Sequence, residues 1–98
     1  MHYLATADDF ESDLQSEFIL QPESGGQYRL RLVSVARLSV SGVSARQSPF
    51  SLVFESANQP MLSQRIYRLV PPEGDALDIF IVPIGKQGEV VRYEAIFN

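Results

Sequence analysis

The last quarter of the chain, Asp75 to Asn98, reads DALDIFIVPIGKQGEVVRYEAIFN. A dense apolar run, a tight glycine-containing turn and an alternating run predict two strands folded back on each other. The chain stops on Tyr93-Glu94-Ala95-Ile96-Phe97-Asn98. Its terminus is therefore expected inside the sheet, where truncation would unfold the protein. The same stretch holds no nucleophile of the cysteine or serine type and no histidine. The expectation is a β module with little machinery for chemistry, which points to binding or assembly.

Alternation of period two continues upstream. Phe18-Ile19-Leu20-Gln21 predicts a short strand, closed by Pro22-Glu23-Ser24-Gly25-Gly26. Gln27 to Ser39 predicts the longest strand. Tyr28, Leu30 and Leu32 hold one phase, then Val33 and Val35 take the other, which is the mark of a β-bulge or bend. Ser39 to Ser48 is small, polar and glycine-containing and reads as a loop. Pro49 to Glu55 alternates cleanly, Ala57-Asn58-Gln59-Pro60 is a turn, and Gln64 to Val70 is a strand with Tyr67 and Leu69 on one face. After the turn Pro71 to Asp75, Leu77 to Val82 is apolar on both faces, as expected of a central strand. Ile84 to Gly88 reads as the turn into the last strand. At the start, Thr6 to Leu14 is the one helix: Thr6 is a candidate N-cap, Asp9 lies three residues on, and Phe10 and Leu14 share a face. Phe10 is expected to plug one end of the sheet structure.

Six strands with no helix between the later ones require antiparallel neighbours. The expected fold is a single all-β domain over residues 1–98. It is a small six-stranded antiparallel barrel or sandwich with one short N-terminal helix. The expected core is Phe10, Phe18, Leu30, Leu32, Phe50, Leu52, Phe54, Leu69, Ile79, Ile81, Tyr93 and Phe97.

Composition narrows function. A net charge of −4 repels polyanions, so nucleic acid is not an expected partner. The absence of cysteine excludes disulfides, thiolate nucleophiles and cysteine zinc sites. No signal-peptide pattern stands at Met1 to Thr6, and no apolar run reaches membrane-spanning length. The expected place is the cytoplasm, with no membrane insertion. The one histidine, His2, lies beside the N-terminus, away from any serine it could activate. Asp8, Asp9, Glu11 and Asp13 read as a solvated helix face, and Glu73, Asp75 and Asp78 lack the spacing of a calcium loop. No glycine pattern cradles phosphate. No catalytic residue, metal or cofactor is assigned.

Seven of the eight basic residues are arginine, either through base composition or because arginine suits interfaces. Tyr28, Arg29, Arg31, Arg65, Tyr67, Arg68 and Arg92 lie on predicted strands and form the candidate interaction surface. The alternatives are a salt-bridged outer face, with Glu55, Asp78 and Glu94 as partners, and tyrosines packed in the core. A third use is a groove for a glycan or other small ligand, lined by Tyr28, Tyr67 and Tyr93.

Pro49 to Phe54 (PFSLVF), Tyr67-Arg68-Leu69, Leu77 to Gly85 (LDIFIVPIG) and Tyr93 to Asn98 (YEAIFN) together resemble the signature of an uncharacterised bacterial small-domain family. Phe10 and Phe18 fit its opening, so the resemblance spans nearly the whole chain. Members are often encoded beside phage-tail-collar-like proteins of the microcystin-dependent type. The family offers no catalytic or binding residues to carry over. The resemblance implies a non-enzymatic structural or adaptor protein of a phage-tail-like assembly. Its expected partner is another protein, such as a tail-collar-like protein, or a second copy of the chain.

Overall fold

Strict alternation of apolar and polar residues leaves each strand one wet and one dry face, and six such strands can bury every dry face by closing on themselves. The computed structural model, described over residues 7–22, 25–37, 49–57 and 60–97, does this. One helix, α1 (Ala7–Glu11), precedes β1 (Glu17–Gln21), β2 (Tyr28–Arg37), β3 (Phe50–Ala57), β4 (Arg65–Val70), β5 (Leu77–Gln87) and β6 (Val90–Phe97). The strands form a closed barrel in the order β1-β2-β3-β6-β5-β4, every pair antiparallel. Pairing of β1 with β4 closes the ring, so the barrel form is the one adopted. The last strand lies between β3 and β5.

Inward side chains fill the barrel. Phe18, Leu20, Leu30, Leu32, Leu52, Phe54, Leu69, Ile81, Val91 and Tyr93 are fully buried. Each contributes about 1.5–3 kcal/mol of burial for an aliphatic or phenyl side chain. Of the expected core, only Phe97 is half-buried, packed at the rim. Leu20, Leu62, Tyr67, Val91 and Ala95 join the core in addition.

Two plugs close the barrel ends. At one, α1 inserts Phe10, whose ring lies 5.4 Å from that of Phe97, 5.9 Å from Phe50 and 6.3 Å from Phe18. Arg37 at the end of β2 clamps the helix, donating to Glu11 at 2.8 and 2.9 Å and to Asp8. This contact holds the Glu11 carboxyl below its ordinary pKa and raises Arg37. At the other end, the segment leading from β3 to β4 has to pass β6 and β5, and it buries Leu62 in the mouth. The Leu62 N–H donates to the Tyr93 hydroxyl at 2.9 Å, and the Tyr67 hydroxyl donates to the Ser63 carbonyl at 2.7 Å.

The phase slip read at Leu32 to Val35 is a register shift between Leu32 and Ser34 against β3. Four expectations change. Helix α1 ends at Glu11, because Gln15 takes a φ of 70° and the chain turns to bond Leu32, so Leu14 leaves the Phe10 face. β5 is not a central strand, since a closed sheet has no centre, and Phe80 faces outward. β5 also continues to Gln87: Ile84 and Gly85 lie in a second register shift, which accommodates Pro83. The turn is Gly88-Glu89, with Gly88 at φ 61° in the first central position, as a two-residue hairpin requires. The expected Thr6 cap, His2 and the Ser39 to Ser48 loop lie outside the described residues.

Candidate functional site

The outer face of a closed barrel is a set of rows running across the strands, and the register fixes which side chains share a row. One row runs Glu17, Arg31, Glu55, Arg92 across β1, β2, β3 and β6, alternating in charge. Arg92 donates to Glu55 at 2.9 Å, while Arg29 and Glu17 stand 3.9 Å apart. Arg31, flanked in register by Glu17 and Glu55, has neither within ion-pairing distance. Exposed pairs of this kind contribute roughly 0–1 kcal/mol each, so the row is weak evidence for stability.

The β2–β3 ladder stops at Arg31 and Glu55, although β2 extends back to Tyr28 and β3 on to Ala57. Past that point the two strands pair only with their other neighbours. The divergence opens a cleft of about 320 Å³ between them, lined by Glu17, Arg29, Arg31, Glu55, Ser56, Ala57 and Val90. Ser56 is 2% exposed, and its hydroxyl has no hydrogen-bond partner among the described residues. An adjoining hollow of about 600 Å³ shares Glu55 and Val90 and extends to Arg92, Ile84, Gly85, Lys86 and Gln87.

A second outer row is apolar. Ile66 on β4 stands opposite Phe80 on β5. Ile96 on β6 is exposed as well, past the end of the β5–β6 ladder at Val82 and Glu94. The three are 65%, 49% and 54% exposed. Next to them, Arg68 and Asp78 are cross-strand neighbours, both exposed.

The sequence-derived surface is thus divided. Arg29, Arg31 and Arg92 gather around the two hollows. Arg68 borders the apolar row, and Arg65 sits at the start of β4 opposite the buried Ile81. Tyr67 is a correction: it is interior and spends its hydroxyl on Ser63, because it shares the inward phase with Leu69. Tyr28 is half-buried against the core, and Tyr93 is fully buried. A tyrosine-lined groove is therefore not assembled. Missed by sequence reasoning were Ile66, Phe80 and Ile96. For Phe80 the signal was present in Leu77 to Val82, whose apolar residues on both faces fit an exposed side chain as well as a covered strand.

Asp13 has its carboxyl pKa raised, first by burial and then by Glu73 and Asp9 nearby. No group of three or more His, Cys, Asp or Glu suited to a metal ion occurs among the described residues. No helix there is long and apolar enough to cross a membrane.

Residues 5–97 match the family model described as a domain of unknown function, DUF6916. The chain belongs to this family. The match covers the barrel and both of its plugs. No curated protein and no solved structure shows significant similarity to the chain.

Proposed function

We propose that this DUF6916 domain is a non-enzymatic structural or adaptor protein that binds another protein, working from the cytoplasm as part of a phage-tail-like assembly. The observation that carries the protein-binding reading is the cross-strand pair of Ile66 and Phe80, both large, apolar and exposed on the outer face. Single exposed apolar residues are ordinary, whereas large ones in adjacent positions mark interaction surfaces. Closure of the barrel strengthens the point. Each strand already has a neighbour on both sides in the ring, so docking on side chains is favoured over addition of a strand. The tail-like setting rests on the sequence resemblance alone.

The test is purification of the N-terminally tagged protein from its native host, with mass spectrometry of what accompanies it and light scattering of the isolated protein. Near-stoichiometric recovery of a tail-structural protein, or a concentration-dependent dimer, is the expected result. A strict monomer recovered without any companion overturns the reading.

A further inference from the structure

The outer face of β4 and β5 carries two cross-strand pairs in succession. Ile66 stands opposite Phe80, and Arg68 stands opposite Asp78. Tyr67, Leu69, Ile79 and Ile81 take the inward phase and are buried, while these four side chains are exposed. Positions two apart on a strand lie about 7 Å from each other on the same face, so the two pairs are adjacent. The result is a four-cornered patch, apolar at one end and charged at the other, with its cation on β4 and its anion on β5. Neither Arg68 nor Asp78 forms an ion pair among the described residues, although they face each other in register. The patch sums to zero charge in a chain of net charge −4, so an approach over it meets no local surplus of carboxylates.

Such a patch is complementary to itself. A twofold axis parallel to the strands, midway between β4 and β5 and above the face, lays β4 of one copy over β5 of the other at equal height. Ile66 then meets the second copy's Phe80, and Arg68 meets the second copy's Asp78. Each contact occurs twice, as in any isologous interface. The strands stay aligned, as sheets packed face to face require. An axis at right angles to the strands would instead lay Arg68 on the second copy's Ile66 and Asp78 on the second copy's Phe80, which desolvates charge against apolar surface. We infer that the outer β4–β5 face is a self-association surface, on which a second copy of the chain packs about the axis parallel to the strands. This inference rests on the protein-binding reading above and names the partner. Two apolar residues and one cation–anion pair per copy form a core far smaller than that of a standard interface, so the dimer is weak and reversible.

The experiment is sedimentation velocity from about 10 μM to about 1 mM, with circular dichroism to establish that every variant is folded. The wild type is expected to pass from monomer to dimer within that range. F80D, R68E and D78R each weaken association by about tenfold or more, since symmetry counts every substitution twice. R68Q and D78N are milder versions should either reversal disturb folding. The decisive sample is an equimolar mixture of R68E and D78R. Across the interface each mutant copy then meets opposite charge at both positions, and dimer returns to about the wild-type level. Within either copy the like-charge pair persists, so a pair acting only inside the chain predicts no recovery. Failure of the mixture to recover, association insensitive to Phe80, Arg68 and Asp78, or a strict monomer at about 1 mM overturns the inference. Loss of a native-host companion on F80D in a protein that stays monomeric would overturn the second-copy partner alone and leave docking through Phe80 standing.

Discussion

The Tyr93 hydroxyl is buried among aliphatic and aromatic side chains and accepts the Leu62 N–H. Y93F strands that buried donor, and the expected cost is about 1–3 kcal/mol in urea unfolding. Y67F removes a bond from the Ser63 carbonyl at a half-buried site, with an expected cost of about 0.5–1.5 kcal/mol. R92A breaks an exposed ion pair and is expected to change stability by under about 1 kcal/mol. Protonation adds a pH dependence at the α1 clamp. The folded Glu11 pKa is depressed by Arg37, so its stabilisation is present above the ordinary carboxylate range and is lost as pH falls through the lowered value. The Asp13 pKa is raised, so its penalty applies near neutral pH and is relieved on acidification. Thermal melts between about pH 7 and pH 3 are expected to show E11Q with a flatter acid limb than the wild type, and D13N with a higher midpoint at neutral pH.

At the scale of elements, the plugs matter more than any surface pair. Phe10 is fully buried at the contact of α1 with three other phenylalanines, and F10A is expected to cost about 3 kcal/mol and to expose the helix end of the barrel. Near-ultraviolet circular dichroism and denaturant midpoints check both parts. Gly88 begins the β5–β6 hairpin at φ 61°, and G88A is expected to cost about 1 kcal/mol through backbone strain alone, since nothing lies within 4 Å of the added carbon. All six strands were legible, most from their alternation and Leu77 to Val82 from its dense apolar run. The bulge in β2 was legible too, as the phase change from Leu32 to Val33. The β5 tail was not: Pro83 and Gly85 carry turn chemistry, and only pairing with β6 keeps them extended. Helix length was overestimated because the bonds of Gln15 and Ser16 to Leu32 are tertiary and leave no local sequence signature.

For the whole molecule, choice between barrel and sandwich depended on the pairing of β1 with β4, two strands far apart in sequence, which no local pattern encodes. The same pairing closes the sheet into a ring. The arginines of the candidate surface were visible in the sequence, yet their division between two regions follows from the strand order. Tyr67 was misassigned because a tyrosine on an alternating strand fits either face until its neighbours are known. On the proposed reading, the domain docks a partner through the exposed Ile66–Phe80 pair. The most direct test compares capture of native-host partners by the wild type and by F80D at matched folded fraction, quantified by mass spectrometry. Because Phe80 is half-exposed, F80D is expected to fold and to lose the dominant companion by about tenfold or more. Undiminished capture by a folded F80D would contradict the account.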